Sequence, residues 1–175
     1  GTWAAAPQVH LLEAPNPSTL AKALKRPAEI QQVRQTMEAD GAALCEFFAW
    51  FEHTIQQRPI TELEVDEQIT AARARQPHFI SPSFGTIAAF GPNGAMPHYQ
   101  ATAESYATID GDGLLLIDSG GQYLGGTTDI TRVIPVGTPT NEQKHDYTLV
   151  LKGMIALSHA VFASAATGQQ LDILA

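Results

Sequence analysis

Apolar residues recur at steps of three and four along Ile30, Val33, Met37, Leu44, Phe48, Phe51 and Ile55, with a single step of seven across Gly41. That period predicts a long helix with one face turned to a core. Pro27 suits its first position, where a missing N–H costs nothing. Thr61 with Glu64 has the spacing of a reciprocal helix cap, followed by inward Val65, Ile69 and Ala72. This second helix is predicted to end near Gln76-Pro77. The period then shortens, and strands are predicted over 86–90, 105–109, 114–117 and 130–136. The last two read as a hairpin around a glycine-rich turn. Asp110-Gly111-Asp112-Gly113 reads as another tight hairpin turn. Thr140 with Gln143 repeats the cap signal. It opens a helix that turns Tyr147, Val150, Met154, Leu157, Val161 and Ala165 inward until Gly168 stops it. From Leu171 a new element begins.

Ahead of these elements, 9–12 reads as a short strand, broken by Pro15 and Pro17, and 18–24 as a short helix. The order is helix, helix, strands, helix, with no internal repeat. It points to an α+β chain, an antiparallel-rich sheet covered by helices.

The chain has 175 residues, enough to bury a core. A net charge of −8 argues against nucleic acid, whose binding demands basic surface. It fits an acidic surface kept for solubility as well as a site that draws cations. No apolar run approaches membrane-spanning length. Cys45 is the lone cysteine, so no disulfide forms within the chain, and its place in the helical pattern predicts packing in the interior. The start, Gly1-Thr2-Trp3-Ala4-Ala5-Ala6-Pro7, carries no signal-peptide pattern and no initiator Met. The expectation is a chain that begins within a longer product.

The candidate chemistry lies in Asp118-Ser119-Gly120-Gly121-Gln122-Tyr123-Leu124-Gly125-Gly126-Thr127-Thr128-Asp129-Ile130-Thr131-Arg132. Asp118 closes one apolar strand and Asp129 opens the next. Facing side chains on paired antiparallel strands stand about 5 Å apart, so the two carboxylates can converge. Converging carboxylates repel unless a cation or a shared proton lies between them. Hard oxygen donors suit divalent ions such as Mn²⁺ or Mg²⁺. Read alone, both residues also fit ordinary turns, where Asp beside Gly is common. The paired glycines have no following lysine, which removes a phosphate loop. The histidines at 10, 53, 78, 145 and 159 show no ligand spacing and read as structural or solvent-facing.

This segment resembles the metal-binding stretch of the Xaa-Pro aminopeptidases, the aminopeptidase P group of the pita-bread metallopeptidases, most closely its cytosolic-type branch. Gly91-Pro92-Asn93-Gly94-Ala95-Met96-Pro97-His98-Tyr99 and Phe84-Gly85-Thr86-Ile87 resemble the same group's substrate-histidine segment, with His98 at that branch's distance from Asp118. Asn16-Pro17 and the stretch from Pro27 to Phe51 also fit. The resemblance implies that Asp118 is a ligand of one metal, Asp129 a ligand bridging two, and His98 a substrate contact. It implies two divalent cations, manganese above all. The implied substrate is a peptide with proline in second place, and the implied setting a cytoplasmic homodimer. The resemblance divides the chain into 1–26, the tail of a preceding domain, and 27–175, the first half of a pita-bread catalytic domain. The group's remaining histidine and two glutamate ligands have no counterpart here, so the chain alone is expected to be inactive. Two other readings stay open: a dipeptidase for Xaa-Pro dipeptides, and a pita-bread module that binds without catalysis.

Overall fold

A computed structural model describes residues 13–175. The predicted strand over 9–12 and His10 lie outside the described residues. Helix α1 spans Pro17–Ala23, capped by Asn16, whose side chain accepts from the Ser18 N–H. Helix α2 runs Pro27–Ile55, β1 covers Ile60–Thr61 and α3 Glu62–Ala74. Then come β2 at Phe79–Pro82 and β3 at Ile87–Phe90, with a 3₁₀ turn at Gly91–Ala95. Next are β4 at Thr108–Ile109, β5 at Gly113–Ser119, β6 at Gly121–Tyr123, β7 at Gly126–Thr127 and β8 at Ile130–Val136. Helix α4 spans Asn141–His159, α5 Gly168–Leu171, and a 3₁₀ turn Asp172–Leu174.

All strand pairings are antiparallel. They form a three-stranded sheet β3-β5-β8, another of order β2-β6-β7, and the pair β1-β4. The core lies between the first sheet and helices α2 and α3. Leu115 and Ile117 of β5 meet Ala43, Leu44, Phe47 and Phe51 of α2 and Val65, Ile69 and Ala72 of α3. Strand β5 alternates as a one-sided strand should: Leu115, Ile117 and Ser119 are buried, while Leu114, Leu116 and Asp118 are half-buried on the other face.

Several expectations need correction. The predicted stripe on α2 is buried only in its second half. Ile30, Val33 and Met37 are exposed, and the buried positions are Thr36, Asp40, Ala43, Leu44, Phe47 and Phe51. Cys45 is exposed. Thr61 caps α3 through the Glu64 N–H, but Glu64 turns its carboxylate to Arg58 and does not return the bond. The strand predicted over 105–109 shrinks to Thr108–Ile109. The turn 110–113 joins strands that are not partners, since β4 pairs with β1. Asp112 there accepts from the Thr138 N–H. The stretch between β5 and β8 is no simple turn, because β6 leaves to pair with β2 and β7 pairs with β6. Helix α4 has its full predicted cap, Thr140 with Gln143, yet buries no residue, and it ends at His159, well before Gly168.

Candidate metal centre

Strands β5 and β8 pair so that Asp118 lies opposite Thr131 and Ser119 opposite Ile130. The core takes Leu115 and Ile117; Asp118 points to the other face with Leu116. Thr131 Oγ1 donates to Asp118 Oδ1 at 2.8 Å, which fixes one carboxylate oxygen. Asp118 thus faces Thr131 and not Asp129, which stands immediately before β8, outside the paired residues. Asp118 is half-buried and Asp129 exposed.

The chain between them is folded tightly at its base. The Gly121 N–H donates to Thr128 Oγ1 at 2.8 Å, and the Thr128 N–H donates to the Gly121 carbonyl at 2.9 Å. Ser83 Oγ donates to the Thr128 carbonyl at 2.9 Å. A Cβ on Gly120 would collide with the Thr128 carbonyl oxygen and Ser83 Oγ, so only glycine allows this closure.

His98 sits on the segment after β3 and is exposed. The 3₁₀ turn Gly91–Ala95 that precedes it lies over Leu116: a Cβ on Gly94 would stand 3.9 Å from that of Leu116. The His98 segment therefore starts above the face that carries Asp118.

Two buried acidic hubs, which sequence reasoning did not single out, hold these pieces. In the first, Arg73 Nε donates to Asp40 Oδ1 at 2.8 Å and Arg73 Nη2 to Oδ2 at 3.2 Å. The Tyr123 hydroxyl donates to the same Oδ1 at 2.8 Å. This hub ties α2, α3 and β6, the last within the segment that joins the two aspartates. The pattern held a signal for it: Asp40 fills the step of seven between Met37 and Leu44 with a three and a four. In the second hub, Glu62 accepts from the Phe90 N–H and the Ala107 N–H, each at 2.7 Å, from Asn93 Nδ2 at 3.0 Å and from the Tyr99 hydroxyl at 2.7 Å. Nothing in the pattern marks Glu62 beyond its place in a helix's first turn, where the dipole favours an acid. Burial raises the Tyr99 phenol to about 12, helped by its bond to Glu62 and that residue's charge. Tyr123 is raised as well, by burial first and by Asp40 second.

The donor set can be tested against a divalent cation. The carboxylates of Asp118 and Asp129 are hard oxygen donors of the right kind. Their number falls short of the six or more oxygens such ions take. Among the described residues, no group of three His, Cys, Asp or Glu stands close enough to hold a metal ion. The chain thus presents part of a ligand set.

The sequence profile of metallopeptidase family M24 matches residues 31–175, most of this fold. The chain belongs to that family. It is 42% identical over 165 residues to a probable Xaa-Pro aminopeptidase P of Paracoccidioides brasiliensis, covering 93% of this chain and 27% of the relative. Among solved structures it resembles the X-prolyl aminopeptidase of Caenorhabditis elegans, a cytosolic enzyme with a di-nuclear active site. That likeness has a TM-score of 0.84 at 38% identity, over 88% of this chain and 25% of the other. The Xaa-Pro dipeptidase of Bacillus anthracis is also similar, with a TM-score of 0.75 at 27% identity, over 89% of this chain and 41% of that one. The chain spans about a quarter of the length of the aminopeptidase P relatives it matches. Its helices and antiparallel sheet form half of a pita-bread domain.

Proposed function

We propose that this chain is the part of an Xaa-Pro aminopeptidase that contributes Asp118 and Asp129 to a two-metal site and His98 to substrate. The observation that carries this reading is the β5–β8 register: it turns Asp118 away from the core opposite Thr131, with Asp129 immediately before β8 and the His98 segment starting above the Asp118 face. The strongest support beside it is the likeness to the di-nuclear nematode enzyme. Asp118 would hold one cation and Asp129 would be shared by both, with the remaining donors supplied by other parts of the full-length protein. Thr131 orients Asp118. When bound, two such cations supply Lewis acidity at a scissile carbonyl. His98, exposed above the sheet, offers an imidazole N–H to the substrate carbonyl oxygen. Proline in second place has no N–H to donate and a fixed φ, so a dedicated site for it is chemically reasonable. Manganese, a homodimer and a cytoplasmic setting belong to the same proposal.

The test is made in a full-length protein carrying this segment. Asp118→Ala and Asp129→Ala are each expected to remove metal and Xaa-Pro cleavage together, whereas His98→Ala keeps metal and loses turnover. Elemental analysis decides, and an aspartate variant that retains two metals per chain refutes the ligand assignment. The likeness to the Bacillus dipeptidase supports a second reading, cleavage of Xaa-Pro dipeptides. Activity on dipeptides with none on tripeptides would favour it.

A further inference from the structure

We propose that Glu62 positions the His98 segment for substrate, as an acceptor hub that binds both ends of that segment from beneath. The inference rests on the reading of His98 as a substrate contact. Glu62 is the first residue of α3 and is fully buried. Its four donors are Phe90 at the segment's start, Asn93 in the 3₁₀ turn, Tyr99 directly after His98, and Ala107 at the segment's end. Asn93 also donates to the Tyr99 hydroxyl at 3.0 Å, so the donors brace one another. The Glu62 N–H in turn donates to the Ala107 carbonyl at 3.1 Å. Among the described residues no lysine, arginine or histidine is bonded to Glu62, which sets it apart from Asp40. Its place is fixed by what it must hold, and what it holds is one segment.

Both carboxylate oxygens are committed to a backbone donor. Oε1 takes the Phe90 N–H and Oε2 the Ala107 N–H. An amide at this place would turn its NH₂ against one of them in either flip state, and a backbone N–H cannot reverse its role. Glu62→Gln, conservative in shape, therefore breaks one end of the clamp. Misplacing a substrate-contacting group by about 1 Å costs up to ~100-fold in rate. His98 has no contact of its own that could make up for this among the described hydrogen bonds.

The experiment uses a full-length, metal-loaded protein containing this segment and compares Glu62→Gln, His98→Ala and the double variant on an Xaa-Pro tripeptide. Glu62→Gln is expected to lower kcat by roughly 10- to 100-fold with metal content and KM little changed. On the His98→Ala background the same change should cost less than threefold, because residues that act through one another are not additive. Hydrogen exchange should quicken across 90–107 and stay unchanged over 65–74. If Glu62→Gln does not fold, Tyr99→Phe and Asn93→Ala, which leave both backbone donors in place, are expected to lower kcat several-fold with the same dependence on His98. Wild-type turnover in the Glu62→Gln variant overturns the proposal. So does a loss that adds in full to that of His98→Ala, or one that tracks thermal stability alone. His98→Ala with wild-type turnover would instead sink the reading of His98, even with the exchange pattern intact.

Discussion

Helices α3 and α4 start from the same kind of sequence and finish in opposite surroundings. Each follows a threonine cap, and each carries apolar residues at helical spacing. In α3 the stripe is closed over: Val65, Ile69 and Ala72 have almost no exposure, and Arg73 is buried in a bidentate pair with Asp40. In α4 nothing is buried; Tyr147, Val150, Met154 and Ile155 stand in solvent, and Val161 beyond its end is fully exposed. Periodicity says that a face is made for contact. Whether the partner lies in the same 175 residues is a separate matter. The relatives are about four times as long, so an apolar helix without a cover is what a piece of such a protein would present.

The largest break in this contrast should come from Arg73→Ala. It leaves the Asp40 carboxylate buried with only Tyr123 for company, and breaking a buried pair costs about 3–5 kcal/mol. Urea denaturation should show that loss, while Lys152→Ala on α4 stays within about 0.5 kcal/mol of the parent. Equal losses at the two sites would erase the distinction. Next is truncation of the apolar faces themselves. Ile69→Ala should cost about 2–5 kcal/mol and Val150→Ala less than about 0.5 kcal/mol. A comparable cost at Val150 would mean that α4 finds a cover in solution, for example in a second copy.

The smallest effect concerns alkaline pH and Tyr99. The unfolded chain loses a tyrosine proton near ~10, whereas buried Tyr99 keeps its proton to about 12. Between those values unfolding releases a proton, so this contribution is whole below pH 10 and is lost as pH rises to 12. Tyr99→Phe should flatten the fall in unfolding free energy over that window. An unchanged slope would show that Tyr99 is not held by its buried bond to Glu62.

Much of this arrangement was legible in the chain. Helix α3, strands β3, β5 and β8, and the capping threonines stand where the pattern puts them, because period and cap are local properties. The family likeness followed from the aspartate segment and not from the pattern. The departures come from contacts made at long range. Ile30, Val33 and Met37 continue the stripe of α2 past the edge of what the sheet covers. Strands β6 and β7 look like a turn, since Gly121 and Gly126 carry no strand signal and only pairing, of β6 with β2 and of β7 with β6, makes them strands. Asp40 was not singled out, although it sits at a helical step on the apolar stripe of α2, and its partners Arg73 and Tyr123 are far along the chain. Glu62 was not visible at all, as three of its four donors belong to a segment with no regular period.

Cys45 lies on the outer side of α2 and is the chain's lone thiol. A single accessible sulfur on a well-packed helix is a handle for chemistry: a maleimide dye or spin label would attach at one place only, opposite the face that Phe47 and Phe51 bury. The same sulfur can join two copies covalently in air. A dimer seen without reductant would then report oxidation and not recognition, and Cys45→Ser removes that ambiguity before any association of α4 is measured.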